Sequence, residues 1–254
     1  MRQTTNKVVK LERKDICSGP LILVNKENPI GEYISERQLL EISPGICLEK
    51  QTALSYEAVI REIGAMSNIV PVSGYRDKSE QERLFSDALR QYGEEYTHAY
   101  VAFPGCSEHQ TGLAIDVGKQ AENIDLITPD FPYSGICQSF RESAVQHGFI
   151  QRYPQGKEQV TGIGHEPWHF RYVGIPHSEL ITEYEFTLEE YIQWIKTFPF
   201  EKQTYHFKSR GCAFEIGYVP AQDEITMMAI PKAFYAISGN NIDGFIVTVC
   251  GRTI

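Results

Sequence analysis

The sequence predicts a fold of mixed class, with helices and strands together in one domain over residues 1–202 and a small all-β extension over 203–254. Two observations carry this expectation. Up to about residue 200, segments with apolar residues at helical spacing are interleaved with short apolar runs bounded by turn residues. Beyond Pro199 only strand-like runs and turn residues remain.

Taken in order, residues 16–50 hold short apolar pieces such as Leu21–Val24, broken at Asn28-Pro29 and Ser43-Pro44-Gly45, and read as strands or extended segments. Val59, Ile60, Ile63 and Met66 fall at helical spacing and predict a helix over Ser55–Met66. Ile69-Val70-Pro71-Val72 reads as a short strand that runs into Ser73-Gly74-Tyr75-Arg76. A second helix is expected over Ser79–Tyr92, capped by Ser79 with Glu82 in support, and with Leu84, Phe85, Ala88 and Leu89 toward the core. Leu113–Val117 has the character of a buried strand with Asp116 inside it, whereas Lys119–Tyr133 is polar and reads as a loop or flap. Ser139–His147 predicts a helix stopped at Gly148. Phe149-Ile150 begins a strand toward Tyr153, Gly164–Tyr172 reads as another, and Leu188–Phe198 as a further helix. In the extension, strands are expected at Ala213–Tyr218, Ile225–Ile230, Phe234–Ile237 and Phe245–Val249, with tight turns at Asn240-Asn241 and Asp243-Gly244.

The chain has 254 residues, 42% of them hydrophobic and 22% charged, and a net charge of -9. That composition is ordinary for a globular protein. The negative charge, with no basic run, excludes a duplex nucleic-acid partner. No stretch approaches the ~20 apolar residues of a membrane span, and Met1–Asp15 lacks the apolar core of a signal peptide. A cytoplasmic protein is therefore expected. The six cysteines show no CxxC pair, which argues against a zinc ribbon and for free thiols.

The residues that carry chemistry are Ser107-Glu108-His109-Gln110-Thr111-Gly112-Leu113-Ala114-Ile115-Asp116 and, downstream, Glu166-Pro167-Trp168-His169. His109, Asp116 and His169 supply two imidazoles and a carboxylate that could hold a zinc ion, with a fourth position left for water. A charge inside an apolar strand is costly unless paired or metal-bound, which favours Asp116 as a ligand. Cys106 is expected to be filler, since a fourth protein ligand would close the site. Glu166 could take a proton from the water. In an extended strand, however, Glu166 and His169 would point to opposite sides, and only a bend near Pro167 would bring them together. Arg76 is a candidate for stabilising negative charge on a carbonyl oxygen; it could equally be a solvated arginine beside Asp77. Ser107 and Gln81 could hold substrate groups or cap local turns. His98, His147, His165, His177 and His206 have no comparable setting and read as surface or structural.

Ser73-Gly74-Tyr75-Arg76, Ser107–Asp116 and Glu166-Pro167-Trp168-His169 together resemble the three motifs of the D-alanyl-D-alanine metallopeptidases. The family includes VanY carboxypeptidases, VanX dipeptidases and bifunctional VanXY enzymes. The motifs occur in order over roughly residues 20–200, and length and extension are most similar to the VanG-type VanXY branch. The resemblance implies an α+β domain with a small central antiparallel sheet, flanked by helices, and zinc in a cleft on it. It implies His109, Asp116 and His169 as zinc ligands, Glu166 as general base, Arg76 as oxyanion stabiliser, and Ser107 and Gln81 as substrate-binding residues. It also implies hydrolysis of D-Ala-D-Ala and of precursors ending in it, in vancomycin resistance. Lys119–Cys137 is the candidate cap that limits pocket size. Two other functions fit the same residues: an L-alanyl-D-glutamate endopeptidase acting on cell wall, and a non-catalytic zinc-binding module.

Overall fold

The computed structural model describes residues 6–30 and 39–252. The start of the basic N-terminus, part of the extended segment at 31–38 and the last two residues lie outside them. The fold is α+β, built from helices and antiparallel sheets. Contacts divide the described residues into two units, one formed by 24–30 and 39–189, the other by 6–23 and 190–252. This division differs from the 202/203 boundary drawn from composition. The N-terminal residues join the second unit through the strand Lys7–Glu12, which pairs antiparallel with Ile225–Ile230. Its lysines mask an alternation in which Val9 and Leu11 pack inward.

The first unit is organised around a four-stranded antiparallel sheet, in the order Ile69–Ser73, Ala114–Lys119, Glu166–Tyr172, Phe149–Tyr153. One face is core. Ile115, Val117 and Phe170 pack there against Tyr56, Val59 and Ile60 of the helix Lys50–Glu62 and against Phe140 and Ala144 of the helix Gly135–Gln146. Phe140 has its ring centroid 4.9 Å from that of Phe170 and 5.6 Å from that of Phe131. Truncating such a ring to alanine costs about 3–5 kcal/mol. Because side chains alternate along a strand, Asp116 points to the other face, and that face carries the site.

Both long helices start earlier than their apolar spacing suggests, because the caps are acidic. The Glu49 carboxylate accepts from the amides of Gln51 and Thr52 and starts the first helix at Lys50, not Ser55. Asp77, not Ser79, caps the second, in a reciprocal box with Glu80; the Ser79 hydroxyl donates to Asp77 and caps no helix amide. That helix then runs to Tyr100 through a kink at Gly93, whose φ of 81° suits glycine. Gln120–Ser134 holds no helix or strand, but the proposed flap is not all surface: Phe131 is buried in the core. The short helix His177–Glu183 and the hairpin Leu39–Ser43/Ile46–Glu49 complete the unit.

The second unit holds a four-stranded antiparallel sheet in the order Phe234–Gly239, Gly244–Arg252, Cys212–Pro220, Tyr205–Ser209. The first of its strands in the chain, Tyr205–Ser209, adds to the four read from sequence. Phe245, Val247 and Ile230 are among its fully buried residues. All six cysteines are free thiols. Among the described residues no helix is long and apolar enough to cross a membrane.

Candidate active site

His109 sits on a short 3-10 turn, Glu108–Thr111, closed by Gly112 in the left-handed region at φ 69°. A side chain at Gly112 would come within 2.9 Å of the Glu49 amide nitrogen, so glycine lets the turn lie against the start of the first helix. Asp116 and His169 are direct partners across neighbouring antiparallel strands and so present their side chains to one face. His109 Nε2 lies 3.1 Å from Asp116 Oδ2, and His169 Nδ1 lies 2.9 Å from Asp116 Oδ1. All three residues are buried, and one ligand atom from each falls within 4.8 Å of the others.

Hydrogen bonding sets which ring atoms are available. His109 Nδ1 is 2.7 Å from the Gly74 carbonyl oxygen. A carbonyl only accepts, so Nδ1 carries the proton and the Nε2 lone pair faces Asp116. Gly74 can approach because it lacks a Cβ, which would sit 2.4 Å from the Cys47 carbonyl oxygen. Asp116 Oδ1 is buried without a hydrogen bond, although His169 Nδ1 is 2.9 Å away. Buried polar atoms are seldom left so. Two imidazole nitrogens and an unsatisfied carboxylate oxygen turned on one point are the donor set of a three-ligand zinc site, and these residues fit such an ion. Burial opposes ionisation of Asp116, but His109 and His169 outweigh it and hold its carboxyl well below the usual range. Burial, reinforced by the Arg76 charge, pushes the His109 imidazole down.

Glu166 is the first residue of its strand, and its Oε2 lies 3.5 Å from His169 Nδ1. The simple alternation that would separate them is broken by a bulge: Gln151 pairs with Phe170, yet Tyr153 pairs with Glu166. The irregularity re-aims Glu166 to the His169 side. Burial raises the Glu166 carboxyl to about 8. Arg76 is half-buried, with Nε unpartnered; burial lowers its pKa, while Asp116 and Glu166 work to raise it. The Gln81 side-chain nitrogen donates to the Ala102 carbonyl at 2.8 Å and leaves Oε1 without a partner.

Arg76, Gln81, Ser107, His109, Asp116, Glu166 and His169 all line one cleft. Cys106 is not among its lining residues. Of the proposed cap, Leu126 and Ile127 reach the cleft. Its far end is anchored: Arg141 donates to the carbonyls of Phe131 and Pro132. The remaining histidines that the structure places include His147 beside Glu62, His165 against Tyr133, and a buried His177. Sequence reasoning missed Glu108, Tyr153 and Trp168, which also line the cleft. For Glu108 the signal was a charge beside His109 in a motif otherwise headed for burial.

Residues 46–175 match the family model described as VanY, D-alanyl-D-alanine carboxypeptidase. The chain is 44% identical over 180 residues to the bifunctional D-Ala-D-Ala dipeptidase and D-Ala-D-Ala carboxypeptidase VanXYC of Enterococcus gallinarum, covering 69% of this chain and 94% of that protein. Its structure is similar to that of the vancomycin resistance D,D-dipeptidase VanXYg, solved with a D-Ala-D-Ala phosphinate analog. The TM-score is 0.94 with 47% identity, over 97% of this chain and 99% of the other. The D,D-pentapeptidase VanY from a VanB-type resistance cassette, solved with Zn(II), aligns with a TM-score of 0.59 and 29% identity over 68% of this chain and 98% of that one. The chain is a member of the VanY family of D-alanyl-D-alanine carboxypeptidases.

Proposed function

We propose that this chain is a zinc-dependent D,D-peptidase that hydrolyses the D-Ala-D-Ala dipeptide and also removes the C-terminal D-Ala from peptidoglycan precursors, and so contributes to vancomycin resistance. The observation that carries the reading is the convergence of His109, Asp116 and His169 on one point beside Glu166. Two imidazoles and one carboxylate suit zinc. When bound there, zinc supplies an acidified water and polarises the scissile carbonyl.

Glu166 takes the proton of the attacking water on a carboxylate oxygen and passes it to the leaving amine. Burial raises its pKa to about 8 without the metal, and a bound zinc ion would draw it back toward the carboxylate form that accepts the proton. Arg76 offers an unpartnered Nε in the same cleft and meets the charge that develops on the carbonyl oxygen. Gln81 Oε1 is an acceptor held in place by the bond to Ala102 and suits the substrate ammonium group. Ser107 lies buried in the cleft wall and can bond the substrate amine or carboxylate. Residues 1–202 are proposed to carry the peptidase and 203–254 to form its extension. The cytoplasmic location is likewise proposed, and cell fractionation tests it.

The test of activity is D-alanine release from D-Ala-D-Ala and from a pentapeptide ending in it, with and without chelator. Chelator-sensitive release from both is expected. Release from neither at full zinc occupancy would overturn the proposal and favour a wall endopeptidase or a binding module.

A further inference from the structure

Behind His169, on the side away from Asp116, lies a group of charges that the proposed mechanism does not use. Glu108 has no exposed side-chain surface. Its Oε1 accepts from Arg152 Nε at 2.8 Å and from Arg171 Nη1 at 2.6 Å. Arg152 in turn donates Nη1 and Nη2 to Glu189 at 2.9 and 2.7 Å. Two buried arginines and two carboxylates thus balance in charge, and each guanidinium is paired. Burial opposes ionisation of Glu108, but Arg152 and Arg171 outweigh it and hold the carboxylate charged.

One atom of this group is left over. Glu108 Oε2 is buried without a hydrogen bond, and so is His169 Nε2; the two lie 3.6 Å apart. A small rotation of the ring closes that gap to a charge-assisted hydrogen bond. The partner at Nε2 decides which nitrogen of His169 is free, because a neutral imidazole carries one proton. His169 Nδ1 is the atom turned toward Asp116 and Glu166. A carboxylate fixed by two arginines, on the far side of a metal-binding imidazole, is the arrangement that sets ring tautomer and orientation.

We propose that Glu108 is a positioning residue: the Arg152–Arg171 pair holds its carboxylate so that the free oxygen accepts a hydrogen bond from His169 Nε2–H, which keeps the ring proton there and leaves Nδ1 for the metal. The proposal rests on the zinc reading of the site, but its test does not rely on peptide hydrolysis. In zinc-loaded wild-type protein with 15N-labelled histidine, NMR reads which ring nitrogen of His169 bears the slowly exchanging proton. The expected result is Nε2; a proton on Nδ1 would overturn the proposal.

Zinc dissociation constants, from competition with a chromogenic chelator, give the second arm. Glu108→Met, which removes the acceptor, is expected to weaken zinc binding roughly 10–100-fold. Glu108→Gln keeps an oxygen for the ring proton and should lie between Met and wild type. A lower melting temperature with unchanged zinc affinity in Glu108→Met would assign Glu108 a structural role and overturn the proposal. Failure of wild type to bind zinc would overturn the zinc reading as well, and is read separately from the variant comparison.

Discussion

Glu166 Oε2 and His169 Nδ1 lie 3.5 Å apart on a single strand, although strict alternation would put these two residues on opposite faces of the sheet. The register break between Gln151 and Tyr153 is what allows it. One irregularity in the pairing therefore places a buried carboxylate beside the metal-binding candidates and gives the cleft its proposed base.

Loss of a ligand should remove the metal rather than only slow the chemistry. His109→Ala and His169→Ala are each expected to lose on the order of 3 kcal/mol of zinc binding, a third of about 10 kcal/mol for a tight site. Metal content after desalting measures this. Full zinc retention in either variant would reject the assigned ligand.

Arg76 should act on turnover and not on the metal. Arg76→Ala is expected to lower kcat by roughly 10²–10³ with zinc content unchanged. Arg76→Lys should recover only part, since the ammonium lacks the planar fork. Steady-state kinetics with metal analysis separates the two effects.

Cleft size should set substrate choice. Leu126 and Ile127 of the Lys119–Cys137 segment line the cleft. Replacing both with glycine is expected to move the dipeptide-to-pentapeptide ratio of kcat/KM by roughly tenfold toward the pentapeptide. An unmoved ratio would remove the segment from the account of specificity.

Acid should destabilise the first unit partly through His177. Burial pushes this imidazole down to about 3, whereas an unfolded histidine titrates near ~6.5. Between those values the unfolded chain binds one more proton, so stability falls as pH drops below ~6.5, by about 1.4 kcal/mol per pH unit. Urea midpoints at pH 7 and pH 5 should differ more for wild type than for His177→Gln. Parallel losses would contradict this.

Much of the site could be read from the chain because its chemistry sits in short motifs. Asp116 inside an apolar strand and Glu166 near His169 are visible as residue types in order. What could not be read is long-range. The bulge that turns Glu166 depends on pairing between residues far apart in sequence. The placement of Lys7–Glu12 beside Ile225–Ile230 is non-local in the same way. The helix starts at Lys50 and Lys78 were missed because glutamate and aspartate caps, rather than serine, satisfy the first amides. Arg152 and Arg171 sit in strands that otherwise read as apolar, and their burial becomes intelligible only once Glu108 is known to lie between them.

The most direct test of the central claim is D-Ala-D-Ala hydrolysis by zinc-loaded Glu166→Ala beside wild type, with zinc measured in the same samples. The account predicts full zinc occupancy and a fall in kcat of roughly 10²–10⁴. Hydrolysis near the wild-type rate with zinc bound would contradict it.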